Sequence, residues 1–250
     1  MKVCFIGDIH AAFRNLEYIV NNVDADIFIQ CGDYGLWTDC EIGKEVPSDY
    51  QMNFQKPVIF VEGNHDNHSW LEWAKNNLPF DKTYGGIDIA YNLIWMPRGY
   101  STIIGNKKFL FCGGADSIDK DYRLTYYPGT WWPGEIINES ILNFVKDDEH
   151  FDFVVTHDRP KFVSDRARQS SYAFISDSSV VLEKLFNKIS VDYWINGHWH
   201  LFWSSKLLET NFVTLDMIPM KTLVNEEYIE LEPFDIGSIN KYGSLLVMEI

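Results

Sequence analysis

Short polar strings follow directly on apolar, β-branched or aromatic runs at five places along this chain of 250 residues. The strings are Gly-Asp8-Ile-His10, Gly-Asp33, Gly-Asn64-His65-Asp66, Thr-His157 and Gly-His198-Trp-His200. Each run has the length and composition of a β-strand, so each string falls at the carboxyl end of a predicted strand. Open α/β sheets bind their ligands at these strand ends. The sequence therefore predicts a site that is assembled from several strand ends.

The residue types in these strings are those that hold divalent metal ions. Carboxylates, neutral imidazoles and amide oxygens together form a ligand set suited to Mn, Fe or Zn. Two such ions a few Å apart can clamp the attacking and leaving oxygens of an in-line displacement. Asp8 and His10 are two residues apart, as are His198 and His200, and an extended backbone projects such pairs to one side. We expect both pairs to point into one cavity.

Taken singly, each string is weak evidence, because Gly-Asp is often a turn and a lone histidine is usually structural. In this order, however, the strings resemble the signature of the calcineurin-like metallophosphoesterase superfamily, D-x-H, G-D, G-N-H-[DE], H and G-H-x-H. Five of the seven histidines lie inside this signature, and only His68 and His150 lie outside it. The resemblance extends from Asp8 to His200.

The resemblance implies a role for each matching residue. One metal ion would be bound by Asp8, His10, Asp33 and His200, and the other by Asp33 as the bridge, Asn64, His157 and His198. His65 would donate a proton to the leaving group or stabilise the transition state. The implied fold is a four-layer αββα sandwich of two mixed β-sheets with the dinuclear site at the strand ends. The implied reaction is hydrolysis of phosphate esters by in-line attack of a metal-bound hydroxide.

Hydrophobic periodicity by itself predicts an α/β fold of one sheet or two. Strands are predicted at 2–6, 26–31, 57–62, 93–96, 101–104, 108–112, 151–156, 191–196, 201–207, 212–216 and 245–249, and helices at 13–21, 69–77, 135–145 and 179–189. The strands between 93 and 112, with a turn at Gly105-Asn106, resemble a meander.

A single domain covering 1–250 is expected, because no Pro/Gly/Ser-rich linker divides the chain and the candidate ligands come from both halves. The segment of about 97–134 carries none of the candidate ligands, and we expect it to be an insert that shapes the substrate cleft. Its stretch from Gly113 to Arg123 is also similar to one in a bacterial and phage branch of the superfamily. Residues 218–250 are expected to form a C-terminal extension that completes the sheets.

The formal net charge of −15 and the lack of any Lys/Arg block disfavour extended nucleic acid as a partner. Small anionic substrates remain open. The first apolar run, 3–6, is too short for a signal-peptide core or a membrane span and leads directly into Asp8. The four cysteines, Cys4, Cys31, Cys40 and Cys112, show no metal-type spacing. We expect a cytoplasmic protein without a membrane partner; the sequence leaves the oligomeric state open.

Two arginines are candidates for binding the phosphate. Arg123 could grip non-bridging oxygens from the mouth of the cleft, because a guanidinium binds phosphate through two hydrogen bonds, but a structural ion pair is an equal alternative. For Arg98 the structural ion pair is favoured. At least one of the adjacent residues Trp131 and Trp132 is expected to pack in the core.

The Ser/Thr protein phosphatases of the superfamily carry Gly-Asp-x-Val-Asp-Arg-Gly after the bridging aspartate. This chain has Leu36 and Trp37 where that branch has its second Asp and its Arg. Asp66 could orient His65 in their place, or it could cap the turn after Asn64.

Three functions are compatible with these residues. The first is a phosphomonoesterase with two divalent ions, Mn or alternatively Fe or Zn, acting on a phosphoprotein or a small phosphate ester. The second is a phosphodiesterase acting on cyclic nucleotides or nucleic-acid ends. The third is a binding scaffold that has kept the fold, which would be indicated by lost ligand positions; none is lost.

Overall fold

Two mixed six-stranded β-sheets form the centre of the fold. The computed structural model describes residues 1–47, 50, 52–167, 176–218, 222–224, 227–229 and 243–250. Its strands are β1 (Lys2–Ile6), β2 (Ile27–Gln30), β3 (Val58–Phe60), β4 (Ile87–Ala90), β5 (Leu93–Trp95), β6 (Ser101–Ile104), β7 (Lys107–Cys112), β8 (Glu149–Thr156), β9 (Ile189–Asn196), β10 (Trp203–Leu207), β11 (Thr210–Thr214), β12 (Thr222–Val224), β13 (Glu227–Ile229) and β14 (Leu245–Glu249). Its α-helices are α1 (Phe13–Asn22), α2 (His68–Asn77), α3 (Lys120–Tyr126), α4 (Lys161–Arg166) and α5 (Asp177–Lys188).

The two sheets have the same plan. The first has the order β14-β1-β2-β3-β5-β4 and the second the order β10-β11-β9-β8-β7-β6. In each sheet the four central strands are parallel, and an antiparallel strand lies at either edge. The carboxyl ends of the parallel strands therefore lie together at one end of each sheet. β12 and β13 pair separately as a short antiparallel ladder.

Three apolar layers separate the elements and confirm the αββα sandwich. Between the sheets, Phe5 of β1 stacks on Phe153 of β8 with ring centroids 5.6 Å apart. Outside the first sheet, Leu16 of α1 and Trp70 of α2 pack in a second layer. Outside the second sheet, Leu182 of α5 lies in the third. Each fully buried large apolar side chain contributes about 1.5–3 kcal/mol, so these layers supply most of the driving force for folding.

Strand β1 shows how the sequence builds two of these layers at once. Val3 and Phe5 face the second sheet, whereas Cys4 and Ile6 face the helices. Successive side chains of a strand point to opposite faces, and both faces are covered, so the strand is a continuous apolar run.

The expected meander is wrong, because β5 and β6 belong to different sheets. β5 pairs with β3 and β4 in the first sheet, while β6 and β7 form a hairpin in the second. The turn of this hairpin is Gly105-Asn106, as predicted, with Gly105 at a φ of 64°. The chain therefore crosses between the sheets over residues 96–100.

The predicted helix 135–145 is also wrong, since this stretch forms two short 3-10 segments, Pro133–Glu135 and Glu139–Phe144. The backbone N–H of Ile137 donates to Ser178 Oγ of α5 at 3.0 Å instead of to a carbonyl of its own segment. Asn138 then accepts from the backbone N–H of Ser140 and starts the second 3-10 segment. A tertiary hydrogen bond has replaced the helical one.

The expected insert at 97–134 begins inside the second sheet, because β6 and β7 occupy Ser101–Ile104 and Lys107–Cys112. The part that leaves the sheet follows Cys112 and contains α3. At the C-terminus, β14 pairs with the edge of β1, Lys2 opposite Glu249. The rest of the expected extension, 219–221, 225–226 and 230–242, lies outside the described residues.

All four cysteines are free and buried. Among the described residues, no helix combines the length and the apolar character that crossing a membrane requires.

Candidate metal centre

The seven predicted metal ligands lie one to four residues beyond the carboxyl ends of parallel strands. Asp8 and His10 follow β1, Asp33 follows β2 and Asn64 follows β3, all in the first sheet. The remaining three come from the second sheet, where His157 follows β8 and both His198 and His200 follow β9. Because the sheets lie face to face, the loops at these strand ends meet over the apolar layer between them.

One group of side chains consists of Asp8, His10 and His200. The Nε2 atoms of the two histidines lie 3.0 Å apart. His200 Nε2 lies 3.1 Å and His10 Nε2 3.8 Å from Asp8 Oδ2. Ligands bound at about 2.0–2.2 Å to one ion stand about 3–3.5 Å apart, so these atoms are spaced much as one cation requires.

A second group consists of Asp8, Asp33 and His157. His157 Nε2 lies 3.3 Å from Asp33 Oδ2 and 3.1 Å from Asn64 Oδ1. Asp33 Oδ2 also lies 3.7 Å from His10 Nε2 in the first group. One carboxylate oxygen of Asp33 thus reaches both groups.

His198 and His65 lie at the border of these groups. The His198 ring centroid is 4.9 Å from that of His157, and its backbone N–H donates to Asp8 Oδ1 at 2.9 Å. The His65 ring centroid is 5.5 Å from that of His10, and its backbone N–H donates to Asp33 Oδ1 at 2.8 Å. Each histidine therefore fixes an aspartate through its backbone while its ring lies beside the cluster.

Four of the predicted ligands have left-handed backbones: φ is 43° at His10, 54° at Asp33, 69° at His198 and 45° at His200. This conformation costs an ordinary side chain about 1–3 kcal/mol and persists only where the surroundings enforce it. The expectation of an extended backbone between Asp8 and His10, and between His198 and His200, is thus wrong. The members of each pair converge because tight turns aim them.

Two glycines of the strings make room for ligands from other strings. A Cβ on Gly63 would overlap Asp33 Oδ1, and a Cβ on Gly197 would overlap Asp8 Oδ1. The glycines beside Asn64 and His198 are therefore needed for close approach of the neighbouring loop.

The hydrogen bonds of His157 determine which of its nitrogens faces the cluster. Nδ1 lies 2.8 Å from the Cys31 carbonyl, which can only accept, so Nδ1 carries the proton and Nε2 faces the cluster. Burial lowers the pKa of His157, but the carboxylates of Asp33 and Asp8 outweigh it and raise this pKa to about 10. Burial raises the pKa of Asp33, but the histidines around it hold that pKa well below its usual range.

Asp66 joins two of the loops. Its carboxylate accepts backbone N–H groups from Gly35 and Leu36 at 2.7 and 2.9 Å, and from Gly63 at 2.7 Å. Burial raises its pKa to about 6, against these donors. The side chain thus caps the turn around Asn64 and holds the loop after β2, which is the second of the two roles expected for it.

Trp199, inside the last string, is held by two residues that follow His157. Its Nε1 donates to Asp158 Oδ1 at 3.0 Å, and the Arg159 guanidinium lies 4.2 Å from its ring centroid. Both partners are buried, and burial lowers the pKa of Arg159 to about 10. Sequence reasoning missed these contacts on the turn between His198 and His200, although Asp158 and Trp199 each adjoin a motif histidine and Arg159 is two residues from one.

The position expected for Arg123, at the mouth of the cleft, is wrong. The residue is 6% exposed, and its guanidinium donates to Ser117 Oγ at 2.7 Å and to the Thr130 carbonyl. Arg98 pairs with Glu62 at 2.7 Å, as the structural alternative predicted. The interpretation that one tryptophan packs in the core is confirmed for Trp132.

The residues present fit divalent cations. Asp8 and Asp33 are 0% and 1% exposed, and their ion-pair partners within the described ranges are all histidines. Histidines that bind metal ions are neutral at the coordinating nitrogen, so with these histidines as ligands the two buried carboxylates need cations as their counter-charge. The oxygen and imidazole donors are those of Mn, Fe and Zn sites.

The match to a protein-family model agrees with this chemistry. The calcineurin-like phosphoesterase family matches residues 1–202. No curated protein matches the chain. Among solved structures, it is similar to a phosphopantetheinyl hydrolase from Mycobacterium tuberculosis (11% identity, TM-score 0.47, covering 86% of this chain and 89% of that chain) and to an archaeal phosphodiesterase (15%, 0.39, 87% and 85%). The family match contains all five strings, and the chain belongs to the calcineurin-like phosphoesterases, a family of dinuclear metal-dependent hydrolases.

Proposed function

We propose that this metallophosphoesterase hydrolyses phosphate monoesters, either phosphoproteins or small phosphate esters, with two divalent ions, for which we favour Mn. The ions would be held by Asp8, His10, Asp33, Asn64, His157, His198 and His200. The observation that carries the proposal is the position of Asp33 Oδ2, 3.7 Å from His10 Nε2 and 3.3 Å from His157 Nε2. A single carboxylate that reaches two groups of ligands can bridge two cations.

When bound, the two ions supply an activated water and neutralise charge on the phosphate. The chain's own residues hold and orient them. Asp33 and Asp8 provide the buried negative charge, and Cys31 fixes the tautomer of His157. His65 lies at the edge of the cluster, partly buried, where its ring can give a proton to the leaving oxygen.

The charge of the molecule supports a small substrate. The net charge is −15 and no block of lysines or arginines occurs in the sequence, so a long polynucleotide would be repelled rather than guided. Arg98 and Arg123 are both engaged by protein acceptors. The cations would therefore neutralise the negative charge of a phosphate monoester.

A phosphodiesterase acting on cyclic nucleotides is the second candidate. It is favoured by the exposed tyrosines of α3 and its C-terminal end, Tyr122, Tyr126 and Tyr127, which lie close to one another and offer flat faces for a base.

A substrate panel distinguishes the two. Purified protein with Mn²⁺ is assayed on p-nitrophenyl phosphate, bis-p-nitrophenyl phosphate, a phosphopeptide and 2′,3′- and 3′,5′-cyclic nucleotides. We expect kcat/KM to be higher for the monoesters. Higher kcat/KM on the diesters would reject the monoesterase in favour of the second candidate. The variant Asp33→Asn, purified in parallel, is the control for contaminating phosphatases.

A further inference from the structure

The side chain of Asn64 has two ends of similar shape and opposite chemistry. Its Oδ1 can bind a cation, whereas its Nδ2 carries two hydrogens and cannot. A half-turn of the carboxamide would exchange them and remove the ligand. Asn64 is 2% exposed, so water cannot decide between the two orientations. A protein group must do so.

Ser117 is that group. Asn64 Nδ2 donates to Ser117 Oγ at 3.1 Å, and Oδ1 then lies 3.1 Å from His157 Nε2 on the side of the cluster. Ser117 comes from the loop after β7, far from Asn64 in sequence, and is 6% exposed. No feature of the sequence marks it.

The neighbours of Ser117 make its hydroxyl an acceptor for Asn64. Arg123 Nη1, which can only donate, lies 2.7 Å from Ser117 Oγ and occupies one lone pair. Glu135 accepts the Ser117 backbone N–H at 2.8 Å, and this carboxylate is the acceptor beside Ser117 towards which the hydroxyl proton can turn. The lone pair that remains can accept from Nδ2 of Asn64 but cannot bind its Oδ1.

We propose that Ser117, held by Arg123 and Glu135, is a positioning residue that turns the Asn64 carboxamide so that its oxygen faces the metal ions. This inference rests on the proposed function, because it requires Asn64 to be a metal ligand. In this proposal Arg123 acts through Ser117 and does not contact the phosphate. Removal of a group that orients a metal ligand typically costs 10–100-fold in metal affinity.

The test measures Mn²⁺ affinity rather than turnover, by following the EPR signal of the free ion during titration. Ser117→Ala should weaken one of the two sites by about 10–100-fold and leave the other within a few fold of wild type. Ser117→Thr keeps the hydroxyl and should restore the affinity. Ser178→Ala, which removes another buried serine acceptor but touches no candidate ligand, should bind both ions as wild type does.

The variant Asn64→Asp tests whether the orientation of the side chain at position 64 causes the effect. In Asn64→Asp the two oxygens are equivalent, so a half-turn changes nothing, and adding Ser117→Ala should cost much less affinity than in the wild type. If Ser117→Ala does not fold, Ser117→Cys, whose sulfur is a weak acceptor, should weaken the same single site. Wild-type affinity for both ions in Ser117→Ala or, where that variant does not fold, in Ser117→Cys would overturn the inference, as would an undiminished loss in the Asn64→Asp background. Fewer than two ions per wild-type chain would instead overturn the proposed function.

Discussion

At the scale of single residues, Asp33 lies between the two groups of candidate ligands. Its side chain is buried, and its Oδ2 faces histidines of both groups. An amide in its place would offer one neutral oxygen where two cations need a shared negative charge. We expect Asp33→Asn to lose the second ion and phosphoesterase activity, as measured by metal analysis and turnover. Asp192→Asn, at an exposed position, is the matched control, and two ions with full activity in Asp33→Asn would reject the bridge.

A different prediction applies to His65, because it is not among the proposed ligands and its ring lies beside that of His10. His65→Gln should keep both ions and lower turnover by about a hundredfold or more, the size expected for loss of general acid catalysis. The loss should be smaller for p-nitrophenyl phosphate, whose leaving group needs little protonation, than for an alkyl phosphate. Equal losses on the two substrates would show that His65 acts by charge or position and does not protonate the leaving oxygen.

At the scale of elements, helix α2 carries a partly buried titratable group in its first turn. Burial lowers the pKa of His68 to about 3, and its Nε2 lies 2.9 Å from the Gly63 carbonyl. The folded-state pKa lies below the unfolded value of 6.5, so the unfolded chain takes up the proton first. This contribution to stability is complete above pH 6.5 and is lost as the pH falls towards 3.

We therefore expect wild type to lose about 2 kcal/mol more than His68→Gln between pH 6.5 and pH 5, which corresponds to one proton over 1.5 pH units. Urea unfolding of both proteins at the two pH values measures the difference. Because neither protein has an altered metal ligand, the pH dependence of metal binding cancels. Equal losses of stability in the two proteins would show that folding does not lower the pKa of His68.

Two stretches that periodicity did not predict correctly are held by polar groups. Helix α3 buries Arg123 and none of its apolar side chains, so it has no apolar stripe, and the sequence around it indicates only turns. The stretch 135–145 has the apolar spacing of a helix, but the bond from Ile137 to Ser178 overrides it. Strands β1, β2 and β8, by contrast, are buried on both faces, and their apolar runs predicted them within one or two residues.

At the scale of the whole molecule, the candidate centre joins the two sheets, since its ligands follow β1, β2 and β3 on one side and β8 and β9 on the other. Removing the cations should leave Asp8 and Asp33, both from the first sheet, repelling each other and should also remove the link between them and the histidines of the second sheet. Each ion present at about 100 times its Kd contributes about 2.7 kcal/mol. We expect a chelator to lower Tm by on the order of 10 °C and excess Mn²⁺ to restore it. Asp33→Asn should show a much smaller shift, and an unchanged Tm in chelated wild type would contradict a structural contribution of the ions.

The sequence was sufficient to predict the candidate ligands and, through the family resemblance, the type of fold. Strand ends are local features, visible as an apolar run followed by polar residues, and the five strings supplied the candidate ligands in order. Tertiary structure decided the rest, because it depends on groups far apart in the chain. Asp8 and His10 converge through left-handed turns, Asp66 holds the loop after β2, and Ser117 meets Asn64 only when β7 lies across from β3. In a single sequence, neither residue of such a contact carries a sign of its partner. The surroundings that orient each ligand are therefore visible only in the folded structure.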